Sequence, residues 1–355
     1  MPQPPPTLRE LSEQLGISIA TISLALRNDP RVAPATRERV LAAATRAGYK
    51  ANPLVSALMT QVRQRHRERR SGEVIAYLTS YDHEDFWKAH PSHLHQFEGA
   101  RHRAEELGFD LQPIWLGPGG AHSRRAGSIL HNRGICGSLL APLPANHRTL
   151  DLNWNEHPII AIGYSFTQVA LHRAANHTLN AMLACYSNLR KFGFQRIGLA
   201  LHQTDDSRVK HAWRSGFLGG RNIHGGEEVE MLFLSDYDRP APFQSWFERE
   251  RPDAVIGIWR DHPLEWLRKR GCRVPEEIGY ASLDLGEDAV GRIAGILQDN
   301  YNVGAAAMDL LANQLFCNET GIPTTPRVTL IESTWMDGPT VSHRTGLPSG
   351  PQAVP

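Results

Sequence analysis

The most crowded set of titratable side chains in the sequence is a group of four histidines. They are His83, His90, His93 and His95. Asp82 and Asp85 adjoin them, and histidine together with carboxylate is a ligand set that binds Zn²⁺. The stretch HPSHLHQF, however, leads from a loop into a helix, and its spacing matches no standard zinc site. We therefore predict solvated or cleft-lining histidines, with no metal and no cofactor.

The sequence contains no recognisable catalytic motif. The glycine-rich stretch GPGGAHS lacks the lysine of a phosphate-binding loop, and no H-E-x-x-H pair occurs. Gly163 is followed by Tyr-Ser-Phe-Thr, so a nucleophile elbow is absent as well. The four cysteines lie far apart without a C-x-x-C pair, which predicts reduced, inert thiols in a cytoplasmic protein. We predict that the protein is not an enzyme.

Charge is distributed unevenly along the 355 residues. Residues 1–72 hold 12 Lys/Arg and 5 Asp/Glu, a formal charge of +7, and because the whole chain carries +1 the remainder carries −6. A basic segment joined to an acidic body suggests that the first part meets a polyanion, the alternative being an unevenly charged solvated surface. The N-terminus MPQPPPTLRE does not resemble a signal peptide, and no apolar run is long enough to cross a membrane.

Residues 7–48 read as three short helices. The first places three leucines at helical spacing on one face: Leu8, Leu11 and Leu15. Gly16 ends this helix and permits a tight turn, after which Ser18 caps the second helix. The third helix begins at Pro34 and ends at Gly48. Two helices joined by a glycine-containing turn form a helix-turn-helix, whose second helix enters the major groove of DNA.

A fourth helix is predicted in NPLVSALMTQV, residues 52–62, because Asn52 and Pro53 are good starting residues and an apolar stripe follows. Isolated helices of this length are marginal in water, so we expect it to form only against a partner. The stretch RQRHRERR, residues 63–70, contains five arginines and reads as a solvated spacer or as a phosphate clamp.

From residue 73 onward, short apolar runs alternate with helix-patterned segments. This alternation is typical of parallel sheets covered on both faces, and about ten strands exceed one comfortable sheet. We predict an all-α helix-turn-helix domain (1–51), a hinge helix with its linker (52–72), and an α/β body of two doubly wound lobes (73–337). The residues from Gly338 to the end, rich in Gly, Pro and Ser, are predicted to be a flexible tail.

Several ordered blocks resemble the LacI/GalR family of transcription regulators. They are TLRELSEQLGISIATISLALRN, VAPATRERVLAAATRAGYKANPLVSALM, NLRKFGFQRIGLAL, PDAVIGIWRD, VPEEIGYASLD and GILQDNYNVGAAAMDLL. The resemblance spans about residues 7–335. It implies a cytoplasmic, nucleoid-associated homodimer that binds operator DNA, with a body similar to periplasmic sugar-binding proteins of type I and a small ligand between its lobes.

The resemblance also implies roles for individual residues in DNA binding. Contacts with backbone phosphates, which fix register, are implied for Thr7, Leu8, Ser18, Thr21, Ser23, Arg31, Tyr49 and Asn52. Contacts with bases are implied for Ile19, Ala20 and Leu24, and Leu58 would be the apolar wedge that the hinge helices insert into the minor groove. Apolar side chains read the thymine methyl group, so we expect much of the specificity to come from the hinge. A plain hinge-to-hinge packing role is the alternative for Leu58.

The cleft departs from the family pattern at several positions. Trp213 replaces the usual arginine, Arg260-Asp261 replaces an Asn-Asp pair, and Gly163 replaces an aspartate. Asp284 and Gln298 match the family, and Tyr81 and Asp82 are expected to reach the cleft from the first strand. Trp213 either stacks on a sugar ring or belongs to the core, and Arg260 either pairs with a carboxylate ligand or forms a surface ion pair. A polar ligand such as a sugar or sugar acid is expected.

Two other classes of protein compete with this interpretation. An enzyme is disfavoured by the missing motifs, and a secreted sugar-binding transport protein is disfavoured by the helix-turn-helix and the absent signal peptide. The mechanism we predict is a two-fold dimer whose reading helices occupy successive major grooves. Ligand-driven closure of the lobes then shifts the hinge equilibrium, which couples ligand and DNA affinity reciprocally.

Overall fold

The computed structural model of the chain describes residues 8–26, 31–47, 73–144, 149–152, 154–155, 157–236, 238–258 and 262–344. The predicted hinge helix and linker (52–72) lie outside these ranges, and so does the end of the predicted tail (345–355). Six of the predicted site residues also lie outside them. The six are Thr7, Tyr49, Asn52, Leu58, Arg260 and Asp261.

Three helices make up the described part of the N-terminal region. They are α1 (Leu8–Leu15), α2 (Ile19–Leu26) and α3 (Pro34–Arg46). Leu11, Ile22 and Val40 are each completely buried where the helices meet, because each occupies the inward-facing stripe of its own helix. The predicted three-helix arrangement is therefore confirmed.

The first lobe of the body contains six parallel strands in the spatial order β11-β5-β4-β3-β1-β2. The strands are β1 (Glu73–Thr79), β2 (Phe109–Trp115), β3 (Gly137–Leu140), β4 (Ile159–Ile162), β5 (Arg173–Asn176) and β11 (Val328–Ile331). Its helices are α4 (Pro91–Leu107), α5 (Ser123–Asn132) and α11 (Asn300–Cys317). Apolar residues of α4 and α11 cover one face and those of α5 the other, so the strands read as almost continuously apolar.

The second lobe repeats this plan with the order β12-β10-β9-β8-β6-β7. Its strands are β6 (Ile197–His202), β7 (Leu232–Leu234), β8 (Ala254–Gly257), β9 (Gly279–Ser282), β10 (Ala294–Leu297) and β12 (Thr334–Met336). Its helices are α6 (Thr178–Lys191), α7 (Gln203–Arg208), α8 (Ala212–His224), α9 (Ala241–Glu250) and α10 (His262–Lys269). Helices α6 and α8 cover one face, and α9 and α10 cover the other. The strand β12 is antiparallel to β10.

The chain passes between the lobes three times in the described ranges. It leaves the first sheet after Asn176, returns between Leu297 and Asn300, and leaves again between Ile331 and Thr334. Since ligands of open parallel sheets bind beyond the carboxyl ends of the strands, these passages lie next to the expected cleft. The predicted two-lobed α/β architecture is confirmed.

Two features differ from the predictions. The described residues form twelve strands rather than about ten, because β5 begins with Arg173 and β12 has only three residues, so neither shows a clear apolar run. The predicted flexible tail starts too early: Thr340 and Val341 are buried, and the Thr340 hydroxyl donates to Tyr280 O at 2.8 Å. Arg344 donates to Asp253 O and Glu277 O, so the segment from Gly338 to Arg344 packs on the second lobe.

Candidate functional site

Local hydrogen bonds shape the turn between α1 and α2. Gly16 has φ +65°, a left-handed conformation that glycine adopts without strain from a Cβ atom. Its N–H donates to Ser12 O at 3.0 Å, and the Ser12 hydroxyl donates to Ile17 O at 2.7 Å. Backbone groups released at the helix end are thereby satisfied, and the angle between α1 and α2 is fixed.

The second helix begins at a side-chain cap. Ser18 Oγ accepts a hydrogen bond from the Thr21 N–H at 3.1 Å, and the two hydroxyl oxygens are 2.8 Å apart. The predicted capping role of Ser18 is confirmed. Ile19 follows the cap and keeps 46% of its surface exposed, so a large apolar side chain is presented at the N-terminal end of α2.

The other predicted DNA-contacting residues differ from one another in exposure. Leu24, which we expected to face bases, is half-buried against the helical core, because it lies on the flank of α2 that turns toward α1 and α3. Thr21 is half-buried and Arg31 is exposed. For Leu8, Ala20 and Ser23 the backbone is described but the side chains are not. Their contacts with DNA stay predictions.

A cavity of about 160 Å³ lies between the lobes, at the carboxyl ends of both sheets. The first lobe contributes the segments after β3, β4 and β5 and the first turns of α4. The second lobe contributes α7, the start of α8 and the segments after β8, β9 and β10. The location agrees with the predicted cleft.

Three amide side chains form the deep wall on the first lobe. Asn300 Oδ1 accepts from Gln96 Nε2 at 2.9 Å and from Asn176 Nδ2 at 3.1 Å. Gln96 and Asn300 are more than nine-tenths buried. No donor within the described residues reaches Gln96 Oε1 or Asn176 Oδ1. Because an unpaired buried polar atom is costly, this wall is suited to receive donors from a bound molecule.

Asp284 faces the cavity from the second lobe, two residues after the end of β9. Burial, together with the smaller effect of the nearby Asp205, raises the pKa of its carboxyl group to about 7. Within the described ranges no donor is hydrogen-bonded to this carboxylate. A ligand hydroxyl or amino group would therefore supply a donor to this carboxylate.

The two other described second-lobe candidates also line the cavity. Gln298 follows β10, and its Nε2 donates to Leu283 O at 2.9 Å, which leaves its amide oxygen for other partners. Trp213 is only 2% exposed and belongs to the core beneath α6 and α8, with part of its surface on the cavity. The core interpretation of Trp213 therefore holds, and stacking on a ligand remains a prediction.

Tyr81 and Asp82 differ in position although they are neighbours. The Tyr81 side chain is buried, and its hydroxyl oxygen lies 3.0 Å from Nδ1 of His93, which lines the cavity. Burial raises the pKa of Tyr81 to about 12 against the opposing effect of Arg208. Asp82 is exposed and is not part of the cavity wall, because the loop that follows β1 turns its side chain outward. The prediction that Asp82 reaches the cleft is wrong.

The histidine-rich stretch forms a cluster of rings. Neighbouring rings in this cluster have centroids 5.1 to 6.1 Å apart, and the rings are those of Tyr81, Phe86, His90 and His93. Burial lowers the pKa of His93 to about 3, with Arg208 and His90 acting in the same direction, so this ring is neutral at pH 7. Within the described part of the chain, no group of three His, Cys, Asp or Glu residues is arranged to hold a metal ion.

Sequence reasoning missed several cavity residues. The amide wall, Tyr164 and Arg208 were not among the candidates. Tyr164 follows β4 and Asn176 is the last residue of β5, positions that the fold rule identifies once strand ends are known. Gln96 and Asn300 are 204 residues apart, and their contact depends on the packing of α4 against α11, which no local pattern reveals.

Known proteins resemble both parts of the chain. Residues 7–52 match the sequence model of the family described as "Bacterial regulatory proteins, lacI family". Over 56 residues the chain is 45% identical to the HTH-type transcriptional regulator GalS of Salmonella typhimurium (strain LT2). This alignment covers 16% of each protein, so the chain matches only about a sixth of that relative's length.

Two solved structures share the fold of almost the whole chain. The transcriptional regulator CelR in complex with cellobiose has a TM-score of 0.58 and 19% identity, covering 94% of this chain and 99% of that one. The lac repressor dimer bound to operator and the anti-inducer ONPF has a TM-score of 0.57 and 19% identity, covering 96% and 100%. The predicted resemblance is confirmed: residues 7–52 match the lacI-family model, and the chain shares the fold of these two regulators. None of the described helices has the length and apolarity of a membrane span.

Proposed function

We propose that the protein is a transcription regulator, a repressor, that binds operator DNA as a cytoplasmic homodimer associated with the nucleoid. A small sugar-like ligand held between the lobes controls its DNA affinity. The observation that carries this proposal is the helix-turn-helix match over residues 7–52, joined to a two-lobed body with a polar cavity. The relatives support it, since one regulator of this fold is solved with cellobiose and another with operator and ONPF.

In this function α2 lies in the major groove. Its capped N-terminal end presents Ile19 to the bases, while Ser18 and Thr21 lie beside the DNA backbone. An exposed isoleucine has no hydrogen-bonding group, so it recognises the C5-methyl group of thymine. Further specificity comes from the hinge, where Leu58 acts as an intercalating wedge.

In the cavity, the ligand is a small molecule with several hydroxyl groups. Asp284 accepts hydrogen bonds from the ligand, Gln298 and the amide wall orient it, and Trp213 offers an apolar edge. Tyr81 contacts His93, which lines the cavity from the first lobe. Arg260 and Asp261 are proposed to complete the second-lobe side from the segment after β8.

The proposal is tested by fluorescence anisotropy with duplexes taken from the DNA beside the gene of this protein. A scrambled duplex of equal length serves as the competitor. Specific binding at least about 10³-fold tighter than to the scrambled duplex, with log affinity falling linearly against log salt concentration, supports the proposal. Equal and weak binding to every duplex contradicts it.

The role of Ile19 gives a sharper prediction. Replacing Ile19 with alanine is expected to weaken operator binding by about 1 kcal/mol, since about one methyl-sized contact with thymine is lost. Replacing the contacted thymine with deoxyuridine removes only the methyl group. The wild type should lose affinity on this DNA, and Ile19→Ala should not. Gln14→Ala, on the exposed side of α1, is the control that should behave like the wild type on both duplexes.

A further inference from the structure

Arg208 joins the two lobes across the cavity. It is the last residue of α7 in the second lobe, and its Nη2 donates to Leu143 O of the first lobe at 3.2 Å. The guanidinium also interacts with the hydroxyl group of Tyr81, again in the first lobe. One long side chain therefore bridges from the second lobe to the segments that follow β1 and β3.

Lys210 makes a second contact between the lobes. Its Nζ lies 5.5 Å from the centre of the Tyr164 ring, and Tyr164 follows β4 in the first lobe. The Arg173 guanidinium lies 5.2 Å from the same ring centre. A cation this close to an aromatic ring is attracted to it, so Tyr164 draws Lys210 toward the first lobe.

The backbone that carries these two side chains is held in an unusual conformation. Lys210 and His211 have φ values of +54° and +62°, which are uncommon for residues with a Cβ atom. Asp206 is completely buried, and its carboxylate binds His211 Nδ1 at 2.9 Å and the Arg214 N–H at 3.1 Å. Strained residues persist only where their surroundings enforce them, and they gather at functional sites. Here the hydrogen bonds to the Asp206 carboxylate hold the backbone in this conformation.

We infer that residues 208–211 form an interlobe clasp, in which Arg208 and Lys210 position the first lobe against the second. The clasp sets how far the cleft closes before any ligand arrives. Arg208 and Lys210 are positioning residues, since they act through Leu143, Tyr81 and Tyr164 rather than on DNA. The inference goes beyond the proposed function, because it concerns the resting separation of the lobes and assigns no ligand.

The clasp is tested by pulsed electron paramagnetic resonance distance measurements on the full chain. Spin labels are attached at Gln112→Cys in the first lobe and Gln244→Cys in the second, both exposed positions. Cys136, Cys272 and Cys317 are replaced by serine, while Cys185 is completely buried and stays. Labelled chain is diluted with excess unlabelled chain so that each distance belongs to one chain. No ligand or DNA is added, so the outcome is separate from any failure of the proposed function.

Arg208→Gln and Lys210→Asn are each expected to shift the distance distribution to longer and broader values. Asparagine tolerates the left-handed backbone at position 210, so that change removes the charge without adding strain. Arg221→Gln removes an arginine whose ion pair with Glu228 stays within the second lobe, and it should match the wild type.

Tyr81→Phe keeps the buried ring and removes only the hydroxyl group, so it reports on Arg208 even if Arg208→Gln does not fold. A smaller shift in the same direction is expected. Distributions identical to the wild type in all the folded clasp variants would overturn the inference, as would an equal shift in Arg221→Gln.

Discussion

Replacing Asp284 with asparagine is expected to stabilise the ligand-free protein above pH 7 and to weaken ligand binding. The carboxyl group has a pKa raised to about 7 in the folded protein, against an ordinary value near 3.8 in the unfolded chain. Between these values the unfolded chain releases its proton first, so the free energy of unfolding of the wild type falls as pH rises from about 4 to about 7. This loss of stability is absent below about pH 4 and complete above about pH 7.

Asparagine does not ionise and carries no such penalty. At pH 8 the Asp284→Asn protein should be more stable than the wild type by about 2–4 kcal/mol, and the advantage should vanish near pH 4. Urea unfolding at the two pH values measures this difference. Asp288→Asn makes the same chemical change at an exposed position, so it should differ little from the wild type. A variant less stable than the wild type at pH 8 would show that Asp284 is not strained by burial.

The same variant should bind ligand poorly. The amide keeps one acceptor oxygen but loses the charge and the second acceptor, and losing a hydrogen bond to a charged acceptor costs about 1.5–3 kcal/mol, which is roughly a 10- to 150-fold loss of affinity. A thermal-shift screen of neutral sugars and sugar acids measures it, because a ligand that binds the folded state raises Tm by mass action. A sugar that stabilises the wild type and Asp288→Asn should have little effect on Asp284→Asn. An equal rise in Tm for all three proteins would contradict the assigned role.

Replacing Gly304 with alanine should destabilise the first lobe strongly. Helices α4 and α11 cross so closely that a Cβ atom at Gly304 would lie 1.8 Å from Gln96 O and 2.9 Å from the backbone N of Ala100. A Cβ at Gly99 would lie 1.9 Å from Tyr301 O on the same crossing. These obstacles are backbone atoms, so relief requires the helices to separate. Overpacking of this kind costs about 3 kcal/mol, a fall in Tm of roughly 6–12 °C.

Gly127→Ala is the matched control, since Gly127 lies inside α5 and no described atom lies within 4 Å of its added Cβ. Alanine should stabilise that helix by about 0.5–1 kcal/mol, because glycine is the poorer helix former. Thermal unfolding of both variants measures the two changes in Tm. A Gly304→Ala protein as stable as Gly127→Ala would mean that the α4–α11 crossing is not tightly packed.

The sequence was sufficient for those features that depend on local periodicity. Leu11 was predicted to face inward from helical spacing alone, and it is completely buried. The Ser18 cap follows equally from local chemistry. In the same way, the alternation of apolar runs with helical patterns predicts two parallel sheets, and Asp284 and Gln298 lie at the strand ends where such sheets bind ligands.

Features that depend on distant contacts were not predictable. The packing of Gly338 to Arg344 depends on backbone atoms of β9 and β10 that accept or donate hydrogen bonds, although the composition resembles that of a loose tail. The strand β5 begins with Arg173, which is buried because the carbonyl oxygens of Gly163 and Phe166 accept its hydrogen bonds. The direction of the Asp82 side chain depends on the loop that follows β1. Each of these three features depends on contacts that exist only in the assembled lobe.

The central claim is that one chain couples a DNA-binding domain to a ligand-binding cleft. It is tested most directly by measuring the Kd for the specific duplex with and without the sugar that raises Tm most, in the wild type and in Asp284→Asn. We expect the sugar to change the wild-type Kd by about 5- to 150-fold, as a coupling of 1–3 kcal/mol implies. Asp284→Asn should bind the duplex as tightly as the sugar-free wild type and should not respond. A wild-type Kd that is unchanged by a sugar shown to bind would contradict the account.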